Sequence, residues 1–225
     1  QGWIGALLIP YANRIKNGTY VLNGKRYFLE RNEDRGHFGK GALQGYLYKK
    51  QMQVIGTHAD ESEASLTLAY DFDGTDKGYP FLLHVQVRYT LSKLGLNITT
   101  TARNLMTNGQ PVPFYNGWHS YFKVSDISRA SIEFDRCSSW NHINVTNSSN
   151  VYSDLIPTGI TSLWTRFNGN TTVGGTNEYP TYYDDEFKAI ASTSRCPIIE
   201  TRIRDEASGL TTILWQDEMY RFVQV

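Results

Sequence analysis

Thr19-Tyr20-Val21-Leu22-Asn23-Gly24-Lys25-Arg26-Tyr27-Phe28-Leu29 is the stretch that decides the fold. Two short runs of β-branched and aromatic residues, Thr19–Leu22 and 26–29, flank Asn23-Gly24. Asn-Gly accepts the positive φ that a two-residue hairpin turn demands at its centre, so it is the strongest short-range hairpin signal. The same texture continues outward. Leu94-Gly95-Leu96-Asn97-Ile98-Thr99 alternates apolar and polar residues, as a half-solvated antiparallel strand does. Further strands are expected at 65–70, 81–90, 94–103, 131–134, 188–193, 198–205 and 211–215. No window sustains an apolar stripe at i, i+3, i+4, i+7 over three turns, so helix should occupy under about a tenth of the chain. The Asn-, Ser- and Thr-rich stretches 141–150 and 168–177 read as exposed loops. With no internal repeat and no linker, residues 1–225 read as one large antiparallel β-sandwich domain, all-β.

Composition narrows the function. The chain has 225 residues, 22 Lys+Arg against 22 Asp+Glu, and 40% hydrophobic residues. That balance disfavours a nucleic-acid binder, which carries a basic excess, and a polybasic membrane-surface protein. The apolar share supports a packed core. No run approaches the ~20 apolar residues of a membrane span. Tyr is abundant at 15 residues, which suits both sheets and sugar-facing surfaces.

Five Asn-x-Ser/Thr triplets, at Asn17, Asn97, Asn144, Asn147 and Asn170, point to the secretory pathway and an N-glycosylated, secreted protein. The first residues lack a signal peptide, and the chain does not begin with Met, so it is expected to be processed or partial. Cys137 and Cys196 form no CxxC pair, which excludes a cysteine-based zinc site by count. In an oxidising compartment they could close a loop of about 60 residues, worth roughly 4 kcal/mol on the chain-entropy estimate; in a reducing one they stay thiols.

Four polar clusters sit on turns beside strands: Pro10-Tyr11-Ala12-Asn13-Arg14-Ile15, Gly36-His37-Phe38-Gly39-Lys40-Gly41, 111–122 around Gly117-Trp118-His119-Ser120-Tyr121-Phe122, and Tyr182-Tyr183-Asp184-Asp185-Glu186-Phe187. Each alone has a plain reading: a surface arginine, a glycine turn, a hydrogen-bonded structural histidine, a solvated acidic loop. The glycine spacing is not GxGxxG and no strand–helix context follows, which argues against a phosphate cradle.

Taken in order, the clusters resemble the aldose 1-epimerase (galactose mutarotase) family. Asn13-Arg14-Ile15, Gly18-x-Tyr20 and Asn23-Gly24-x-x-Tyr27-x-Leu29-x-x-Asn32 are similar to its N-R-I…G-x-[YF]…G-x-x-Y-x-L-x-x-N block. His37 falls where the family has a His-Gly pair, although Phe38 follows here. Tyr79-Pro80-Phe81, Gly117-Trp118-His119-Ser120-Tyr121-Phe122 and Tyr183-Asp184-x-x-Phe187 resemble Y-P-F, G-x-H-P-Y-F and Y-D-H-x-F, with Asp185 where a His is common.

The resemblance implies a β-sandwich with a sugar cleft, a monosaccharide or glycan as partner, and anomer interconversion without metal or cofactor. Opening the ring requires a proton on the ring oxygen and removal of one from the anomeric hydroxyl. By resemblance His119 is the general acid. Arg14 and His37 hold the sugar and the open-chain carbonyl oxygen, Asp184 and Asn13 bind hydroxyls, and Trp118 or Tyr121 offers a ring for stacking. These groups are expected to converge within about 10 Å of one centre. The family's general base, a Glu, lies beyond a strand like 211–225, and its first strands precede Gln1. The chain is therefore expected to be a piece of a larger enzyme or a non-catalytic carbohydrate-binding or structural relative. A glycoside hydrolase would need two positioned carboxylates, and no pair stands out.

Overall fold

The computed structural model describes residues 3–33, 41–136, 138–145, 155–165, 167–174, 183–190 and 198–225. They fall into two units, Gln1–Ser120 and Tyr121–Val225. The first contains β1 (Ala6–Leu8), β2 (Arg14–Ile15), β3 (Thr19–Leu22), β4 (Lys25–Phe28), β5 (Ala42–Leu43), β6 (Gln53–Ala59), β7 (Glu63–Asp73), β8 (Leu82–Ser92), β9 (Gly95–Asn104) and β10 (Gly117–His119). The second contains β11 (Ala130–Phe134), β12 (Ser139–Val145), β13 (Pro157–Trp164), β14 (Asn168–Thr172), β15 (Glu186–Ile190), β16 (Ile199–Asp205), β17 (Leu210–Gln216) and β18 (Phe222–Gln224). Every pairing is antiparallel, and helix among the described residues amounts to three-residue 3₁₀ turns.

The Asn23-Gly24 hairpin forms as read. Leu22 pairs with Lys25 and Thr19 with Phe28, and both turn residues carry positive φ, 49° and 77°. In the first unit β6-β7-β8-β9 make one meander. Its inner face is set by period-two alternation along β8: Leu83, Val85 and Val87 are at most 2% exposed. Each is worth roughly 1.5–3 kcal/mol of burial. They pack with Phe72, Phe81, Tyr27, Tyr46 and Ile9.

Two glycines allow backbones to meet. A Cβ on Gly45 would lie 2.3 Å from the Ile9 carbonyl oxygen, and one on Gly78 would lie 2.1 Å from that of Phe28, both at positive φ. Side chains are therefore excluded at both positions.

The second unit is a sandwich of two four-stranded sheets, β14-β11-β16-β17 and β13-β12-β15-β18. Ile132, Phe134 and Ile199 from one meet Trp140, Phe187 and Ala189 from the other. Phe134 stacks on Trp140 at 4.0 Å and meets Phe187 edge-on at 5.3 Å.

Two expected loops are corrected here. Residues 141–145 lie in β12 and 168–172 in β14. Cross-strand bonding outweighs their loop-like composition: Asn141 donates to Thr161 of β13 and His142 pairs with Asp185 beside β15. Strands β1, β2, β5, β6, β10, β13 and β18 are not among those expected from the sequence either.

Candidate functional site

In the first unit the chain from Ile9 to Ile15 is built into a cradle of backbone and side-chain bonds. The Ile9 carbonyl accepts from the Tyr46 and Leu47 N–H groups (2.8 and 3.0 Å), and the Pro10 carbonyl accepts from Tyr115 (2.8 Å). Asn13, at φ 57°, receives the Gln44 side-chain oxygen on its N–H at 2.9 Å, while its carbonyl accepts from the Gln44 N–H at 3.1 Å. Arg14 then enters β2 opposite Leu43 of β5. Asn32 clamps that partner strand, donating to the Leu43 carbonyl at 2.9 Å and accepting from its N–H at 2.7 Å.

The Arg14 side chain is 12% exposed, and its Nε donates to both oxygens of Glu33, at 2.9 and 3.2 Å. Glu33 is 2% exposed in its side chain. Nη1 reaches the Asn13 side-chain oxygen at 3.4 Å. Asn13 and Arg14, read as separate sugar ligands, are thus brought together. Glu33 on Nε and Asn13 on Nη1 fix the plane of the guanidinium.

His119 ends β10, opposite Ala6 of β1, and its carbonyl accepts from the Gly5 N–H at 2.8 Å. It is half-buried. Gly117, two residues earlier and so on the same face, lets β10 approach the cradle: a Cβ there would stand 3.1 Å from that of Ala12. Trp118, 40% exposed, alternates onto the opposite face of the strand, beside Leu7.

Tyrosines brace this region. Tyr46 donates to the Lys77 carbonyl, Tyr20 to Gly78 and Tyr79 to Pro113, at 2.5, 2.8 and 2.8 Å. Burial pushes the Tyr46 hydroxyl up to about 12 and raises Tyr11, Tyr20 and Tyr79 further. All four stay protonated near neutrality and cannot serve as bases there.

In the second unit Asp184 is exposed and accepts from the Gln224 side chain at 2.6 Å. Its neighbour Asp185 pairs its backbone with Val225 (3.1 and 3.2 Å) and its carboxylate with His142 Nε2 at 2.7 Å. Burial raises the Glu186 carboxyl. His37, Cys137, Cys196 and Asn147 lie outside the described residues.

Asn17 and Asn97 are exposed. Asn144 is half-buried, with its side-chain oxygen bonded to His142 at 3.1 Å and Ser162 at 3.4 Å. Asn170 lies within β14. No group of three or more potential metal ligands occurs among the described residues, and no helix there is long and apolar enough to cross a membrane.

Glu33 and Gln224 were not singled out in the sequence. Glu33 directly follows the motif residue Asn32, which was the one available signal; nothing local marks Gln224.

Comparison with known proteins places this geometry. The family described as Aldose 1-epimerase matches residues 1–219. An uncharacterized Escherichia coli protein, YihR, is 35% identical over 119 residues, 52% of this chain and 35% of its own length. The human galactose mutarotase is 30% identical over 163 residues, 71% of this chain and 42% of the enzyme. Among solved structures, a galactose mutarotase-like protein from Clostridium acetobutylicum superposes with a TM-score of 0.75 at 20% identity, covering 97% of this chain and 63% of that one. A Caenorhabditis elegans aldose epimerase homologue gives 0.68, also at 20% identity, covering 92% and 61%. The chain spans less than two thirds of the length of each.

Proposed function

The chain belongs to the aldose 1-epimerase family, and from that premise we propose that this protein interconverts the α and β anomers of a free aldohexose. The observation that carries this reading is Arg14, set in a plane by a buried carboxylate and joined to Asn13, two residues after the alanine that β10 packs against.

His119 protonates the ring oxygen as the C1–O5 bond breaks, while a base takes the proton of the anomeric hydroxyl; the resulting aldehyde rotates about C1–C2 and recloses. Arg14, with His37, donates to the oxygen on which charge develops. Asn13 and Asp184 hold hydroxyl groups, and Trp118 offers a ring for stacking. Polarimetry on fresh α-glucose and α-galactose tests this. The full protein should accelerate mutarotation, and His119→Ala should abolish the acceleration with an unchanged CD spectrum. A folded wild-type protein that binds hexoses without accelerating the reaction belongs to the non-catalytic, carbohydrate-binding reading.

We also propose a secreted glycoprotein, supported by the exposure of Asn17 and Asn97. Intact mass before and after endoglycosidase treatment of natively sourced protein tests that; an unchanged mass overturns it, and the Cys137–Cys196 disulfide with it.

A further inference from the structure

Glu33 is an unusual place for a carboxylate. Its side chain is 2% exposed, and a buried charge is tolerated only when paired and hydrogen-bonded. Arg14 supplies both conditions through a single nitrogen, Nε, shared between the two carboxylate oxygens. The backbone on either side is braced: the Glu33 N–H donates to the Gly41 carbonyl at 3.3 Å, and Asn32 holds Leu43, the strand partner of Arg14. Gly41 also leaves the carboxylate its room, since a Cβ there would stand 3.2 Å from Oε2. Both ends of the pair are therefore fixed to β5 before any ligand arrives.

We propose that Glu33 is the positioning residue of the sugar site and makes it select neutral over anionic sugars. The proposal rests on the epimerase reading in taking Arg14 as a substrate contact. Two consequences follow from the geometry. With Nε bound, the guanidinium loses its freedom to rotate and offers only its Nη edge, so its entropy of ordering is met in the free protein. The carboxylate also cancels the guanidinium charge. What faces the ligand is a fixed pair of donors with little net field, matched to a hydroxyl or carbonyl oxygen rather than to a carboxylate or phosphate. Glu33 is assigned no role as a base: its carboxylate is 2% exposed and is paired with the Arg14 guanidinium.

The test uses the full protein as wild type, Glu33→Gln, Arg14→Lys and the double variant, each first checked for a cooperative thermal melt. The substrates are glucose and its anionic analogue glucuronate. Glu33→Gln should lower kcat/KM for glucose by about 10–100-fold, as misplacement of a positioned group does. Glucuronate should suffer far less, so that the ratio of the two shifts by about tenfold or more. In the Arg14→Lys background, adding Glu33→Gln should change neither value by more than about twofold, because a residue acting through Arg14 has nothing left to position. Equal losses for both sugars, or an undiminished further loss in the Arg14→Lys background, would assign Glu33 a purely structural role and overturn the proposal. A wild type that accelerates neither sugar sinks the epimerase reading instead. Calorimetric binding of the same two sugars to the same four proteins then decides the matter: the same shift in preference sustains the proposal, and no shift, or no binding, overturns it.

Discussion

Arg14 and Asp184 are both read as sugar ligands, and they are held in opposite ways. Arg14 is 12% exposed and locked through one nitrogen to both oxygens of a carboxylate that is itself buried. Asp184 is exposed and steadied by a single amide from Gln224 of β18. Arg14 is built into the buried part of its unit, where its removal leaves a carboxylate without its cation. The other is a surface group whose position depends on a three-residue strand. Substitutions at the two positions should therefore differ in their cost to stability.

The largest expected effect follows directly. Arg14→Ala leaves the Glu33 carboxylate buried without its cation, and breaking such a pair costs about 3–5 kcal/mol. Asp184→Ala should cost under about 1 kcal/mol, as for exposed polar contacts. Urea unfolding of the two variants checks the contrast. Equal losses would show that Asp184 is as deeply integrated as Arg14.

Acid sensitivity separates the units next. The Asp205 carboxylate of the second unit accepts from the Ser125 N–H at 2.8 Å and the Ser208 hydroxyl at 2.7 Å, which hold its carboxyl well below the ordinary range. Its folded value lies under its unfolded one, so the stabilisation is present above about pH 4 and is lost as pH falls through the folded value. Asp205→Asn should flatten the acid limb of the stability profile of the second unit below about pH 4. Asp60, depressed chiefly by the Ser62 hydroxyl in the β6–β7 turn, acts with the same sign in the first unit. Its partners, His58, Ser62 and Glu63, all lie within the same β6–β7 hairpin, so Asp60→Asn should move the profile less. Thermal melts stepped through pH 2–6 compare the two.

The two units also differ in how much of them the sequence discloses. The Asn23-Gly24 hairpin and the β7–β9 meander are local: turn chemistry and period-two alternation lie within each segment, so both are legible. β12 is not. Trp140 and Ile143 are both buried, on opposite faces of the strand, and its register slips after Ile143; the segment therefore shows no period and reads as a polar loop. Its identity comes from partners 20 to 43 residues away. The same limit applies to the site. Arg14, His119 and Asp184 were marked by ordered motifs. Glu33 sits in the run Asn32-Glu33-Asp34-Arg35, which looks solvated, and only the pairing of β2 with β5 carries Arg14 to it.

A smaller effect sharpens the description of Asp184. Gln224→Ala removes the amide that orients the carboxylate, at a cost to stability of about 1 kcal/mol or less. If Asp184 holds a sugar hydroxyl equally in ground and transition states, KM should rise severalfold with kcat unchanged. A fall in kcat instead would place Asp184 at the reacting centre.

The smallest effect probes the core beside the segment that carries Arg14. Tyr11 is 7% exposed and meets Tyr46 edge-on at 5.9 Å, and its hydroxyl is buried without a hydrogen-bond partner among the described residues. An unmet buried hydroxyl costs stability, whereas the ring around it contributes packing. Tyr11→Phe keeps the ring and removes the liability, so it should be neutral or stabilise by up to about 1 kcal/mol. Tyr79→Phe is its control: that hydroxyl donates to the Pro113 carbonyl at 2.8 Å, and losing it should destabilise by about 1 kcal/mol. Opposite signs in paired thermal melts would establish that the Tyr11 hydroxyl sits dry in the core of the first unit. If Tyr11→Phe is instead as costly as Tyr79→Phe, the hydroxyl is satisfied by a buried water. The contrast between a locked arginine and an exposed aspartate then weakens, because the segment that carries Arg14 would itself be solvated from within at Tyr11, three residues before it.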